Sequence, residues 1–170
     1  MVTNTELIKE LRSRTSAGVM DCKKALDETS GDIDRAEIIL KEKGIASAAK
    51  KTDRDTEQGL IETYTHSGGR IAAIVEINCE TDFVARTDEF SQLAHDIAMQ
   101  IAAMDPKAVD TVVSVNEDSF VERDTEEGSL MKQPFIKDPS KSIQDLINET
   151  VGKLGENIRV RRFQRYSLGE

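Results

Sequence analysis

Cys79, His66 and His95 are the residues whose types most directly suggest covalent chemistry, a thiol nucleophile served by an imidazole base. Their settings argue against it. Cys79 shares the phase of Ile71, Ala73, Val75 and Ile77, a period of two that marks buried packing on a strand. His95 lies in a helical pattern whose only nearby acid, Asp96, faces elsewhere. No glycine-rich phosphate loop is present, so GTP binding by the chain itself is not expected. Cys22 and Cys79 fall in different modules, too far apart in sequence for a metal site and consistent with reduced thiols in a cytoplasmic setting. The expectation is a protein that is not an enzyme, with no cofactor and no metal. Recognition chemistry is better represented. The strand ends at Glu80-Thr81-Asp82, and Phe83 follows directly, flanked by Val84. An aromatic just past a buried strand has two readings: a core residue, with Asp82 capping a helix, or an exposed anchor on a rigid base.

Those residues need elements to hold them. Residues 1 to about 50 predict three short helices. Thr3 with Glu6 forms a capping box, and Leu7, Ile8 and Leu11 an apolar stripe. A tight connection, Thr15-Ser16-Ala17-Gly18, leads to a helix bearing Val19, Met20, Cys22, Ala25 and Leu26, closed by Gly31 in a left-handed conformation. Asp32 caps a third helix, with Ile33, Ala36, Ile39 and Leu40 at helical spacing until Gly44. Residues 51–58 contain almost no apolar side chain and read as a linker. Residues 59–170 follow as an α+β domain. Gly59 to Thr65 and Arg70 to Asn78 pair as a hairpin around His66-Ser67-Gly68-Gly69. Helices over Phe90 to Met104 and Ile143 to Leu154 and a last strand over Asn157 to Tyr166 complete a small antiparallel three-stranded sheet with helices on one face. Phe163 breaks the alternation of Ile158 and Val160 with Arg159 and Arg161, which predicts a bulge or a covered second face. Residues 109–134 are expected to form a loop.

Charge narrows the partners. The net charge is −9, and between Asn116 and Gly128 six acids face one arginine, a local charge of −5. Such a surface is a poor general binder of phosphate backbones. Arg159, Arg161, Arg162 and Arg165 make one basic strand, expected to pair with acids such as Glu62, and no aromatic platform for RNA accompanies them. No apolar run nears the ~20 residues that span a bilayer, and no secretion signal opens the chain.

Three ordered blocks carry a resemblance that covers most of the chain: LIKELRSRTSAGVMDCKKAL (Leu7 to Leu26), EINCETDFVARTDEF (Glu76 to Phe90), and QPFIKDPSKSIQDLI with GENIRVRRF (Gln133 to Ile147, Gly155 to Phe163). Together they closely resemble translation elongation factor Ts, the exchange factor of the elongation factor Tu GTPase, in a short form with a single core repeat. The resemblance implies a three-helix module like ubiquitin-associated domains followed by the α+β core. It implies that the TDFV segment, Thr81, Asp82, Phe83 and Val84, inserts between two helices of the GTPase and disturbs its Mg²⁺ site, with Phe83 as the wedge. It implies secondary contacts from Leu11, Arg12, Met20 and Lys23, and from His66, whose Tyr64-Thr65-His66 setting is similar to a segment in the second core half of longer members. The chain departs from the pattern at Ser16, where glycine is usual, and Val19, where methionine is usual.

The expected function is therefore guanine-nucleotide exchange on elongation factor Tu in the cytoplasm, with no membrane and no direct nucleic-acid contact. The alternative is a non-catalytic helical adaptor that binds a partner through the N-terminal bundle. One core copy bearing both His66 and Phe83 suggests a homodimer that rebuilds a double core. Some short family members link such a dimer through a cysteine in the last strand. Gln164 stands at that place here, so the dimer is expected to be noncovalent.

Overall fold

The computed structural model describes residues 4–15, 17–110 and 128–169. Thr3, Ser16 and most of the acidic run lie outside them. Among the described residues, six α-helices and a small antiparallel three-stranded sheet give the α+β fold that the periodicities predict. The chain divides into two compact units, Met1–Arg54 with Asn148–Asn157, and Asp55–Ile147 with Ile158–Glu170.

In the first unit α1 (Asn4–Thr15), α2 (Val19–Glu28) and α3 (Ile33–Ala49) enclose Leu11, Cys22, Ala25, Leu26, Ala36 and Leu40. Asp32 caps α3 by accepting from the Arg35 amide at 3.0 Å, and Gly31 ends the α2 segment at φ +87°. Both follow from the local sequence. Two features do not. α3 continues past Gly44 to Ala49, and a Cβ built on Gly152 would lie 3.6 Å from the Gly44 Cα, an ordinary contact distance. A Cβ on Gly44 would meet nothing within 4 Å, so space does not require glycine at either position. The polar segment after α3 is also held: the buried Asn157 donates through Nδ2 to the carbonyls of Thr52 at 3.3 Å and Arg54 at 2.9 Å.

In the second unit β1 (Gln58–Thr65), β2 (Ile71–Cys79) and β5 (Ile158–Ser167) form the sheet in the order β1-β2-β5, antiparallel throughout. Gly59 has a steric reason: a Cβ there would meet the Ile77 carbonyl at 2.1 Å. Ala73, Val75, Ile77 and Cys79 point to the face covered by α5 (Asp88–Met104), where Phe90, Leu93, Ile97 and Ile101 are buried. The register slips between Glu76 and Ile77, whose partners are Arg162 and Val160, so Arg161 is the extra residue. This bulge restores Phe163 to the covered face opposite Val75, the outcome its broken phase predicts.

Arg161 and Arg162 of β5 find a different acid from the one expected. Arg162 Nε lies 2.7 Å from Glu76 Oε2, and Arg161 Nε 3.6 Å from Glu76 Oε1. Glu62 is on the opposite face of the sheet, beside His95. Its place opposite Val75 fixes that, since Val75 and Glu76 point to different faces.

A second, two-stranded ladder joins β3 (Pro134–Phe135) to β4 (Asp138–Ser142), after a 3-10 turn at Leu130–Lys132. The fully buried Gln100 of α5 secures it, donating to Gln133 Oε1 and the Pro134 carbonyl at 3.1 Å and accepting from the Ile136 amide at 2.9 Å. α6 (Ile143–Leu154) begins in this unit, but from Asn148 onward it groups with the first.

Candidate functional site

The strongest candidate surface is the short turn after β2. Strand residues Val75, Ile77 and Cys79 are fully buried, which gives the turn a rigid base. The chain then enters α4 (Asp82–Ala85), a single helical turn. Thr81 precedes it as N-cap and accepts from the Val84 amide at 3.4 Å. The Cys79 thiol donates to the Thr81 carbonyl at 3.1 Å, so this cysteine secures the turn instead of presenting a nucleophile. Thr87 caps α5 in turn, accepting from the Phe90 amide at 3.2 Å. Two N-caps six residues apart force the chain to turn twice, and the residues between them stand out from the core.

Phe83 lies in that projection. It is 81% exposed, while Thr81, Asp82 and Val84 around it are half-buried. Asp82 Oδ2 pairs with Arg86 Nη2 at 2.9 Å, one helical turn on. The sequence leaves Phe83 open between core and surface; its position is on the surface. An apolar ring this exposed is a candidate for intermolecular burial, and the Asp82 carboxylate and Arg86 guanidinium rim it.

The remaining candidates are scattered over three places. Leu11 is fully buried in the bundle core, among Cys22, Ala25 and Leu26, which removes its side chain from the contact set. Its i+4 spacing from Leu7 is the signal for that inward stripe. Arg12 is exposed. Met20 is 63% exposed, with Val19 and Lys23 also exposed, and the three share the first turns of α2. His66 sits at the hairpin turn, where its amide donates to the Ile71 carbonyl at 2.8 Å and Gly68 and Gly69 take positive φ. Its ring Nδ1 is 3.3 Å from the Tyr64 hydroxyl.

His95 departs from its expected isolation. Its Nδ1 lies 3.4 Å from Glu62 Oε1, and Tyr64 meets its ring edge-on at 5.7 Å between centroids. The acid comes from β1, thirty-three residues away, and local pattern carries no signal for it. Even so, neither histidine approaches Cys79, which is buried on β2 with its thiol on the Thr81 carbonyl. Cys22 is likewise buried, and burial pushes its thiol above the usual cysteine range. Among the described residues no cluster of metal-ligating side chains forms, and no helix is long and apolar enough to cross a membrane.

Residues 33–123 match the family model described as Elongation factor TS, and they include β1, β2, α4 and α5. A protein of Syntrophomonas wolfei named elongation factor Ts is 46% identical, the similarity covering 100% of this chain and 92% of that protein. This chain belongs to the elongation factor Ts family. Two further relatives of that name have the same reach. The Herpetosiphon aurantiacus protein is 46% identical over 99% of both chains, and the Coprothermobacter proteolyticus protein 44% identical over the full length of both. Elongation factor Ts relatives thus match the bundle and the sheet together, and the chain is a translation elongation factor of that family.

Proposed function

We propose that the chain is a guanine-nucleotide exchange factor for elongation factor Tu, with Asp82-Phe83 as the pair that acts on the nucleotide site. The observation that carries this reading is an 81% exposed phenylalanine on a capped turn at the end of a buried strand. Exchange makes and breaks no covalent bond, so the chain is not an enzyme in that sense. It binds the nucleotide-free GTPase more tightly than the nucleotide-bound form, and by linkage nucleotide weakens the factor by the same ratio. A nucleotide held at nanomolar Kd represents about 12 kcal/mol. Much of that resides in phosphate contacts and a Mg²⁺ ion of the GTPase. Inserting an apolar ring between helices that carry those contacts is an efficient way to weaken them. Phe83 supplies the ring, Asp82 the polar partner, and Thr81 and Val84 the frame. Reciprocity gives the test: raising GDP concentration should lower the affinity of the chain for elongation factor Tu. An affinity independent of GDP excludes exchange by this route.

Met20, Lys23 and Arg12 form the second contact in this reading, offered by a bundle likened to ubiquitin-associated domains. Two contacts on one chain reinforce each other through effective concentration. Met20→Ala should weaken binding roughly three- to tenfold and leave the saturating GDP-release rate near wild type, because the wedge is untouched. Titration of GDP release against factor concentration separates the two. An unchanged midpoint would assign the bundle to another partner, the role of an adaptor.

His66 completes the proposal through a noncovalent homodimer. The face of the sheet away from α5 carries exposed Ile61, Ile74 and Tyr166, with Glu76, Arg161 and Arg162 of both charges beside them. An isologous interface uses the same patch on both protomers, and this exposed apolar face is the one offered for it. Phe83 of one protomer and His66 of its partner then reach the same cytoplasmic GTPase. Light scattering should return twice the 18.9 kDa chain mass, and a two-to-two complex with elongation factor Tu. A monomer at micromolar concentration that still promotes exchange excludes the shared site.

A further inference from the structure

The side-chain hydroxyl of Thr87 belongs to two helices at once. It donates to the Val84 carbonyl at 2.8 Å, closing α4, and accepts from the Phe90 amide at 3.2 Å, opening α5. A hydroxyl has one donor and two acceptor sites, so the two bonds do not compete. The Thr87 amide adds a second donor to the same Val84 carbonyl at 3.0 Å. The two helices differ greatly in their own stability. α5 has seventeen residues and Phe90 fully buried at its start, whereas α4 has four residues and no buried side chain. A single turn does not sustain itself, because helix nucleation fixes several dihedrals for one hydrogen bond. Among its other bonds, Ala85 amide to Thr81 carbonyl at 3.3 Å, Arg86 amide to Phe83 carbonyl at 3.4 Å and Val84 amide to Thr81 hydroxyl at 3.4 Å are long, and the Asp82–Arg86 ion pair is solvent-exposed.

We propose that Thr87 is a positioning residue for Phe83, passing the fixed placement of α5 to α4 through its hydroxyl so that the aromatic ring is held in place before a partner arrives. The inference rests on the reading of Asp82-Phe83 as the pair that meets the GTPase. Preorganisation of this kind raises affinity because the ordering of the turn is not deferred to the binding step.

Three variants of the full chain test it. Thr87→Val removes the hydroxyl at nearly constant shape. Thr87→Asp keeps an acceptor for the Phe90 amide, and so the cap of α5, but supplies no donor to Val84. Thr87→Ser keeps both bonds. In the free chain, amide hydrogen exchange at Arg86 and Thr87 should quicken roughly tenfold in the Val and Asp variants, remain near wild type in the Ser variant, and stay unchanged at Ile97 to Ile101 in all three. Affinity for nucleotide-free elongation factor Tu should fall about tenfold in Thr87→Val and recover in Thr87→Ser. In a Phe83→Ala background Thr87→Val should cause no further loss, because there is no ring left to position. Equal losses in both backgrounds mean ordinary stabilisation and overturn the proposal. Unchanged exchange at the Arg86 and Thr87 amides overturns it as well. A wild-type chain that does not bind the GTPase defeats the functional reading instead, and the amide measurement still decides whether Thr87 holds the turn.

Discussion

Phe83→Ala should abolish most nucleotide-exchange activity and leave the fold intact. The ring is 81% exposed, so its removal opens no cavity, and a surface change of this kind alters stability by about 0.5 kcal/mol or less. At an interface the same ring is the type of residue that acts as an anchor, where truncation costs about 2 kcal/mol or more, roughly thirtyfold in affinity. The loss should appear in the plateau of GDP release as well as its midpoint, because the proposed ring acts on the nucleotide site and does more than tether the partner. Asp82→Ala should show a smaller loss in the same direction. Thermal melts within about 2 °C of wild type for Phe83→Ala, together with lost exchange, are the expected pair of results. A well-folded Phe83→Ala chain of full activity would remove the wedge role.

Phe90→Ala should instead strongly destabilise the unit that holds the sheet. Phe90 is fully buried at the head of α5, against the face formed by Val75, Ile77 and Cys79. Truncating a buried phenylalanine costs roughly 3–5 kcal/mol, the transfer term plus that of an unfilled cavity. A loss of that size is a large fraction of the 5–15 kcal/mol typical of a domain, so the denaturant midpoint should fall steeply. Activity should fall with it, for the Phe90 amide is bonded to Thr87 and the start of α5 fixes the turn that carries Phe83. The two phenylalanines are seven residues apart on one motif, and the variants separate its two tasks. Phe90→Ala with stability within 1 kcal/mol of wild type would contradict the packing of α5 on the sheet.

What the sequence reveals, and what it hides, follows from the range of the interactions. β2 is legible because Ala73, Val75, Ile77 and Cys79 alternate without interruption, and α5 because Leu93, Ile97 and Ile101 keep helical spacing. Asp32, Gly31 and the glycines after His66 are legible because caps and turns are settled within a few residues. The bulge at Arg161 is legible as a single break of phase at Phe163. The β3-β4 ladder is not: Pro134–Phe135 is too short to show a period, and the group that holds it, Gln100, comes from another element. The same holds for Glu62 with His95 and for Glu76 with Arg161 and Arg162, where sheet register chooses the partner. The extension of α3 beyond Gly44 is hidden because a glycine reads as a stop, although it costs a helix interior only about 1 kcal/mol and the helix runs on through it.

The site divides in the same way. The break after Cys79 marks where a projecting residue would stand, but exposure of Phe83 arises from two successive threonine caps, whose joint effect is geometric. Leu11 shows the converse. Its place in a motif offers it as a contact, whereas its position on the inward stripe of α1 makes it core.

The proposed action of this chain is to open the nucleotide site of elongation factor Tu. Release of fluorescent GDP from elongation factor Tu, followed after adding excess unlabelled nucleotide, tests it most directly. The release rate should rise with chain concentration to a plateau at least about a hundredfold above the intrinsic rate, equivalent to about 2.7 kcal/mol off the barrier. A release rate that stays at the intrinsic value while the chain is shown to bind the GTPase would contradict it.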